Sequence, residues 1–369
     1  MFTPSRLVLA RKRRGFTLTR LADEVGLTAQ SLSNAENGRQ VPSMETLTAL
    51  SEVLNFPATF FEQPDATEIS LEQVSFRART KTSARTRDAA LSAASLAVEL
   101  HKWFDARFEL PRIDIPTLNG RMDPELAATY VRARWGLKPG AGISNIVHLL
   151  EAHGVAVYSL PPEHSDVDAF SFWLDGKPFV LLNTLKSAER GRFDGAHELG
   201  HLVLHEQVLG GQKTRTEEKE ADAFASAFLM PTESVRRNFT CSPSVEEVIH
   251  SKKKWKVSAL ALTYRLRELG VISDWGYRRA VIDLGRMGYR ASEPNGIIRE
   301  TSLVLKKVLS SLRSSGIPYG QIYQDLHISP SELSGLIFNL AIVPIEDGSG
   351  YPGENQHFAA PERSLRLVQ

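Results

Sequence analysis

Apolar residues recur at helical spacing through the first sixty residues, and glycines separate one short run from the next. Leu21 lies on the inward side of one predicted helix, and Leu32 and Ala35 lie on the inward side of the following one. Gly26 stands between them, where the end of a helix favours a residue that adopts positive φ. This pattern predicts a small all-α domain over residues 1–65.

In the middle of the chain, helical and strand-like patterns alternate. The runs that predict strands are VAVYSL (155–160), FSFWLD (170–175) and KPFVLLN (177–183). Asp175-Gly176 separates the last two runs and is a favoured hairpin turn. Two helices with apolar stripes follow, at about 189–205 and 217–230. The mixture predicts an α+β domain over residues 121–290, with a small sheet beside helices.

Two further segments differ from these domains in composition. FRARTKTSARTRDAA, residues 76–90, is rich in Arg, Lys, Ser and Thr and predicts a linker that leads into a helix ending near residue 108. We therefore assign residues 66–120 to a basic linker and connecting helix. Residues 291–369 predict a helical accessory region and a loose tail, because a helical pair precedes a stretch with Gly and Pro.

Composition restricts the classes of protein that fit. A chain of 369 residues exceeds the usual size of one core, so two or three domains are expected. The net charge of +1 excludes a general affinity for nucleic acid, so any such binding comes from a local patch. A single cysteine excludes an internal disulfide and a cysteine-based zinc site. Without a signal peptide or an apolar run of about 20 residues, the sequence predicts a soluble, cytoplasmic protein.

The segment HELGH places two histidines four residues apart on the first of the two apolar helices. His197 and His201 then lie on one face, about one turn apart, so that both imidazoles reach one metal ion. Glu198 approaches the reacting water without binding the metal and acts as a general base. Such a pattern arises by chance in about one chain in a hundred of this length. The apolar helix around it and a nearby third ligand make a metal site the favoured interpretation.

The third ligand is expected from the helix EEKEADAFASAFLMP, residues 217–231. Its buried stripe consists of Ala221, Phe224, Ala225 and Phe228. Glu220 and Glu217 border this stripe, whereas Glu218 is expected to point elsewhere. The helix dipole alone also favours an acidic first turn, which leaves a solvated carboxylate as the alternative. Beside a helix with HExxH, ligation by Glu220 is the favoured interpretation.

Polar residues close to this pattern are assigned supporting roles. His205 follows His201 by four residues, but successive histidines drift by about 40° around the helix. His205 therefore misses the shared metal and is predicted to be structural. Asp222 and Asp194 are candidates for a hydrogen bond to the free ring nitrogen of a ligand histidine.

The chain resembles the ImmA/IrrE family of zinc-dependent endopeptidases over about residues 125–275. The resemblance rests on FVLLN, RGRFDGAHELGHLVLH and EKEADAFASAFLMP, in that order. It implies a gluzincin-like fold in which Zn²⁺ is held by His197, His201 and Glu220, with Glu198 as the catalytic residue. Members of the family typically cleave one partner, often a helix-turn-helix repressor. The resemblance therefore implies a regulatory protease with a protein substrate.

The same resemblance implies that KPFVLLN is an edge strand that lies along the cleft. An extended peptide substrate is expected to pair with such an edge. Asn183 ends the strand and is a candidate for substrate binding. The alternative is that Asn183 only turns the chain.

The first 62 residues resemble helix-turn-helix domains of the XRE, or lambda-repressor-like, type. The shared residues lie in RGFTLTRLADEVGLTAQSLSNAENGRQVP, with the recognition helix expected at residues 28–37. The candidates for DNA contacts are Gln30, Ser31, Ser33, Asn34 and Arg39. Gln30 is the strongest base-reading candidate, and Arg39 is a candidate for a phosphate contact. Further phosphate candidates are Arg11, Lys12, Arg13 and Arg14. Leu18 stands where the family often has a phosphate-binding glutamine, which leaves a protein-binding module as the alternative.

These observations predict an α+β protein with an N-terminal all-α lambda-repressor-like domain, a zincin domain with a small sheet, and a helical C-terminal region. The predicted function is that of a zinc-dependent regulatory endopeptidase, fused to a DNA-binding domain, that cleaves a repressor-like protein to control transcription. The alternative is a DNA-binding regulator, of an antitoxin-like kind, whose zincin domain is a sensor or dimerisation module. The expected partners are operator DNA, a protein substrate and a second copy in a homodimer, with no membrane.

Overall fold

The computed structural model describes residues 1–78, 83–161, 166–205, 214–239 and 242–340, and for residues 75–78 it describes the backbone only. These residues form two compact units. The helical unit comprises residues 1–68, 92–110 and the described chain from Ser302, and the mixed unit comprises residues 69–91 and 111–301. The division falls inside one long helix, so each unit contains a part of that helix.

The bounds of the helices and strands agree with most of the predicted elements. The helices are α1 (Pro4–Arg13), α2 (Leu18–Glu24), α3 (Ala29–Glu36), α4 (Met44–Leu54), α5 (Ala84–Asp105), α6 (Pro124–Arg134), α7 (Ile146–Ala152), α8 (Ala188–Leu204), α9 (Arg215–Leu229), α10 (Thr232–Asn238), α11 (Val245–Trp255), α12 (Ala259–Glu268), α13 (Asp274–Arg286), α14 (Leu303–Ser314), α15 (Gly320–Asp325) and α16 (Pro330–Leu336). The strands are β1 (Val74–Ala78), β2 (Ala156–Leu160), β3 (Val167–Leu174) and β4 (Lys177–Asn183). The mixed α+β class is confirmed. Strand β1 lies within residues 66–120, which the sequence analysis assigned to a basic linker and connecting helix. Within the described ranges, no helix is both long and apolar enough to cross a bilayer.

Threonine caps and apolar faces explain the first helices of the helical unit. The side chains of Thr17 and Thr28 accept hydrogen bonds from backbone amides in the first turns of α2 and α3. Leu21 and Leu32 are fully buried. Gly26, between the two helices, has the positive φ of 69° that the sequence predicts. The helix-turn-helix arrangement is therefore confirmed.

The C-terminal helices belong to the same unit and meet α1 through charged side chains. Glu332 on α16 accepts hydrogen bonds from Arg13 at 2.5 Å and from Arg14 at 2.8 Å, and the side chains of Arg13 and Glu332 are almost completely buried. Burial alone would raise the pKa of the Glu332 carboxyl, but the charges of the two arginines outweigh burial and lower the pKa. Arg11 pairs in the same way with Glu36. Three of the candidates for phosphate contacts, Arg11, Arg13 and Arg14, are therefore paired with carboxylates of the helical unit.

The mixed unit contains a four-stranded sheet with the strand order β1-β3-β4-β2. β3 and β4 form the antiparallel hairpin predicted at Asp175-Gly176, and β2 runs parallel to β4 on its other side. β4 is therefore an inner strand, and the expectation that KPFVLLN forms an edge is wrong. β2 precedes the hairpin in the chain but pairs with its second strand, a crossover that the alternation of apolar residues does not reveal.

Helix α8 packs against β3, and α9 packs against α8. Gly200 on α8 permits a close approach of the two helices, because a Cβ atom there would lie 3.2 Å from the Cα atom of Ala221 on α9. Most of α8 is buried from Arg192 onward. The polar side chains of this helix are therefore enclosed between the sheet and α9.

Candidate metal centre and nucleic-acid interface

Two histidines of α8 and one glutamate of α9 converge inside the mixed unit. The Nε2 atoms of His197 and His201 lie 3.1 Å apart, and both rings are buried. The carboxylate of Glu218 lies 3.2 Å from Nε2 of His201 and 3.5 Å from Nε2 of His197. One ligand atom from each of the three residues therefore lies within 4.8 Å of the other two. Two imidazoles and a carboxylate at this spacing are able to hold one divalent cation.

The structure places Glu218, and not Glu220, beside the two histidines, so the expectation that Glu218 points elsewhere is wrong. At about 100° per residue, these two glutamates lie roughly 160° apart around α9, on opposite borders of its buried stripe. The border that faces α8 is decided by the contact of Ala221 with Gly200. A helical pattern in one sequence segment does not show which border meets the other helix.

Both candidate ligand histidines have a second partner that fixes the orientation of the ring. Nδ1 of His197 lies 2.9 Å from Oδ1 of Asp222. Nδ1 of His201 lies 2.8 Å from Nδ1 of His205, whose Nε2 atom lies 2.9 Å from Oε2 of Glu220. If the two carboxylates accept these hydrogen bonds, the Nδ1 atoms of His197 and His201 carry the protons and their Nε2 atoms carry the lone pairs.

The residues of this network are those that the sequence singles out, but not all of them have the predicted partners. Asp222 contacts a histidine as the sequence suggested, whereas Asp194, the other candidate, forms an ion pair with Arg190 at 3.0 Å. His205 contacts a ligand histidine through its ring, as a structural residue would. Among the described residues, Glu220 is connected to the candidate centre through His205.

Burial shifts the protonation equilibria at the centre. It lowers the pKa of His201 to about 3. Burial alone would raise the pKa of the Glu218 carboxyl, but the close approach of the His197 and His201 rings outweighs burial and lowers the pKa below its ordinary value. At neutral pH the cluster therefore contains a neutral His201 ring and a negatively charged carboxylate, which is the protonation state that metal binding requires.

Glu198 lies next to the first histidine and is fully buried. Its Oε2 atom accepts a hydrogen bond of 2.7 Å from Oγ of Ser171 on β3. Its Oε1 atom is buried and has no hydrogen-bond partner among the described residues. Burial raises the pKa of the Glu198 carboxyl to about 7, against the opposing effects of His197 and the Ser171 hydroxyl. A carboxyl with this pKa is able to accept and to release a proton near neutral pH.

Asn183 lies at the end of β4, where its side chain is buried. Its Nδ2 atom donates to the carbonyl of Val167 at 2.7 Å, and its Oδ1 atom accepts from the amide of Leu185 at 2.8 Å. Both hydrogen bonds fix the chain where it leaves the strand. The geometry therefore supports the alternative interpretation, in which Asn183 turns the chain.

The candidate DNA contacts lie on or just after α3 in the helical unit. Gln30 is exposed, and its Nε2 atom donates to Oδ1 of Asn34 at 3.1 Å, one turn along the same helix. Ser31 bonds to the capping Thr28, and Ser33 accepts from Asn37. Arg39 is exposed just after the helix. These side chains form a polar face opposite the buried Leu32 and Ala35, as the recognition helix of such a domain requires.

Two known protein families match the chain, one over the metal centre and one over the first four helices. Residues 150–267 match the peptidase family described as the IrrE N-terminal-like domain. Residues 7–61 match the family described as helix-turn-helix. A search of curated proteins finds no match to the chain. The first match contains all of the metal-centre residues, and the second contains α2, α3 and α4 with most of α1.

Proposed function

We propose that this chain, which joins a helix-turn-helix domain to an IrrE N-terminal-like peptidase domain, is a zinc-dependent endopeptidase that regulates transcription. The proposal depends above all on the convergence of His197, His201 and Glu218 beside the buried carboxyl of Glu198. Three nitrogen and oxygen ligands with one further position for a reactant are typical of catalytic zinc. The proposed ligands are accordingly these two histidines and Glu218, in place of the Glu220 expected from the sequence.

The residues present fit a divalent cation. With protons on both Nδ1 atoms, the Nε2 atoms of His197 and His201 face one another with their lone pairs at 3.1 Å. Two lone pairs at this distance, beside the carboxylate of Glu218, repel one another unless a positive charge lies among them. Nitrogen and carboxylate ligands suit zinc, and manganese also binds such sets.

Glu198 is the proposed general base. Zinc at the centre would polarise the scissile carbonyl and lower the pKa of the attacking water. The unpartnered Oε1 atom of Glu198 takes the proton from that water as the water attacks the peptide carbon. Ser171 holds Oε2 and thereby fixes the carboxyl. The protonated carboxyl then releases this proton to the leaving amine.

The helical unit supplies the proposed regulatory connection. Its recognition helix presents Gln30 and Arg39 to solvent, and these residues are suited to base and phosphate contacts, respectively. A DNA-binding domain in the same chain favours a substrate that also occupies the operator. The proposed substrate is therefore a repressor-like protein, whose cleavage changes transcription.

Zinc content is the measurement that tests the centre. We expect about one zinc ion per wild-type chain by elemental analysis. Glu218→Ala is expected to retain much less zinc. Glu220→Ala, a matched change two residues away on the same helix, is expected to retain more zinc than Glu218→Ala. A wild-type protein that binds no zinc, even when zinc is supplied, contradicts the proposal.

Glu198→Gln separates proteolysis from the other activities. The amide cannot accept the proton of water, so we expect the variant to bind zinc and DNA normally but to leave the protein substrate uncut. The comparison is made on the transcription of a controlled gene and on the length of the candidate repressor. If Glu198→Gln regulates transcription as well as the wild type does, the alternative applies, in which the chain is a DNA-binding regulator with a sensory zincin domain.

A further inference from the structure

The outer edge of β3 is occupied by a strand from the segment between the two matched domains. β1 pairs with β3 in antiparallel orientation along the side of β3 that faces away from β4. The paired residues are Val74 with Phe172, Ser75 with Ser171, Phe76 with Phe170 and, after an irregularity, Ala78 with Val167. Without β1, β3 would be an edge strand with unpaired backbone amides and carbonyls.

This edge belongs to the strand that contacts the proposed catalytic residue. Ser171 lies near the middle of the β1–β3 ladder, and its hydroxyl donates to Oε2 of Glu198 at 2.7 Å. The backbone of Ser75 therefore pairs with the residue that holds the general base. Residues directly opposite each other in antiparallel strands have Cα atoms about 4.5–5.5 Å apart. β1 is thus connected to the proposed general base through one residue of β3, Ser171.

An extended peptide adds to a sheet edge through the same backbone hydrogen bonds that β1 uses. The structure consequently offers one edge to two occupants, and only one of them can pair with β3 at a time. We infer that the outer edge of β3 is the docking edge for an extended polypeptide substrate, and that residues 74–78 of this chain occupy it in competition with that substrate. The inference rests on the proposed peptidase function, because only a peptidase would bind a polypeptide substrate at this edge.

The covalent connection gives β1 an advantage over a separate substrate. A short tether produces an effective concentration on the order of millimolar, so a peptide present at micromolar concentration displaces β1 poorly. The protein is therefore held in a state of low activity until β1 leaves the edge. A substrate that also contacts another surface of the chain gains the additional binding energy needed to displace β1.

The test measures the binding of a peptide to metal-free protein. The probe is a fluorescent nine-residue peptide with the sequence SLEQVSFRA, which is residues 70–78. Ser75→Pro removes a backbone donor from β1 and restricts its φ angle, so β1 pairs less well with β3. Glu68→Pro is the matched control, because Glu68 is exposed and lies outside β1. Fluorescence anisotropy then gives the dissociation constant for each protein.

We expect the peptide to bind Ser75→Pro at least about tenfold more tightly than it binds the wild type or Glu68→Pro. Hydrogen exchange of the β3 amides between Ala169 and Phe172 should be faster in Ser75→Pro and should slow again when the peptide is added. Equal affinity for all three proteins, or no binding to any of them, overturns the inference. So does exchange at β3 that is unchanged by Ser75→Pro.

A gentler variant covers the case in which Ser75→Pro fails to fold. Val74→Gly combined with Ser75→Gly keeps every backbone donor but weakens the strand. Circular dichroism confirms the fold before binding is measured, and the same increase in affinity is expected in smaller degree. Since no metal is present, a negative result refutes competition at the β3 edge and leaves the zinc proposal standing, whereas a chain that binds no zinc refutes only that proposal.

Discussion

The metal centre and the recognition helix hold their polar side chains in opposite ways. At the centre, His201 is buried and its orientation depends on His205, which depends in turn on Glu220 from another helix. On α3, Gln30 is exposed and bonds to Asn34 of the same helix. Buried polar networks lose more than one contact when one member is removed, whereas an exposed side chain is replaced by water. Changes at the centre should therefore propagate, and changes on α3 should stay local.

The ion pair between Arg13 and Glu332 is buried but lies in the same unit as α3. It therefore tests whether burial, and not the unit in which a residue lies, determines how far the effect of a substitution spreads. Glu332→Gln removes the carboxylate charge that faces the buried Arg13 guanidinium. We expect a loss of about 3–5 kcal/mol in the free energy of unfolding of the helical unit, measured by urea denaturation. Glu233→Gln removes the partner of Arg237 in an exposed pair and should change stability little. Equal effects of the two substitutions would refute the role of burial.

The same carboxylate should make the stability of the helical unit depend on pH. The pKa of Glu332 is lower in the folded chain than its ordinary value of 4.5. Its contribution is therefore present above about pH 4.5 and is lost as the pH falls through the folded pKa. We expect the wild type to lose stability below pH 4.5 more steeply than Glu332→Gln in thermal melts. Parallel curves for the two proteins would show that Glu332 is not the group responsible.

The two glutamates of α9 sharpen the comparison inside the metal centre. Glu218→Gln removes a proposed ligand and should weaken zinc binding by more than about a hundredfold, whereas Glu220→Gln acts only through His205 and should weaken it by about 10–100-fold. Competition with a chelator gives both affinities. The order is reversed if Glu220 is the ligand, as the sequence analysis expected.

The link through His205 has its own test. If Glu220 orients His201 only through His205, then His205→Gln removes the same support as Glu220→Gln. The double variant should therefore bind zinc about as weakly as the weaker of the two single variants. Additive losses would mean that the two side chains act on the centre independently.

Packing between the helices that hold the centre gives a smaller effect. In Gly200→Ala the new Cβ lies 3.2 Å from the backbone of Ala221, so α8 and α9 must move apart. We expect a cost of about 1–3 kcal/mol, seen in thermal melts of the mixed unit, together with weaker zinc binding. Gly191→Ala, on the same helix, has no atom within 4 Å of its new Cβ and should stabilise the helix by about 0.5–1 kcal/mol. Similar results for the two glycines would show that the close approach at Gly200 is unimportant.

The sequence predicted what a single helix or hairpin determines, and it failed where two elements meet. Helical spacing correctly placed His197 and His201 on one face, and the Asp175-Gly176 turn correctly paired β3 with β4. The choice between Glu218 and Glu220 depended on the contact between α8 and α9, and the position of β4 depended on a crossover. No local pattern contains either kind of information.

β1 is a further element that the sequence alone did not predict. Its last residues, 76–78, belong to a segment rich in Arg, Lys, Ser and Thr that predicts a linker, yet residues 74–78 form a strand because they pair with β3. Strand formation at an edge is decided by the partner strand more than by the propensity of the segment itself. Composition alone therefore assigned to a linker a segment that the tertiary structure makes part of the sheet.

Substitutions on the recognition helix should have the smallest effect on stability, and they separate the contribution of a residue to folding from its contribution to DNA binding. Gln30→Ala removes an exposed amide, so the free energy of unfolding should change by less than about 0.5 kcal/mol. Its effect on the proposed operator should be larger, about 1–3 kcal/mol of binding free energy at one base pair, because Gln reads the edge of adenine.

Arg39→Ala should instead weaken binding to all DNA sequences and reduce the dependence of DNA affinity on salt concentration. An operator selected from random DNA supplies the probe for both variants. The wild type is expected to select a sequence and to bind DNA at low salt. If it does neither, the absence of a phosphate-binding glutamine at Leu18 favours the alternative, in which the exposed face of α3 binds a protein partner.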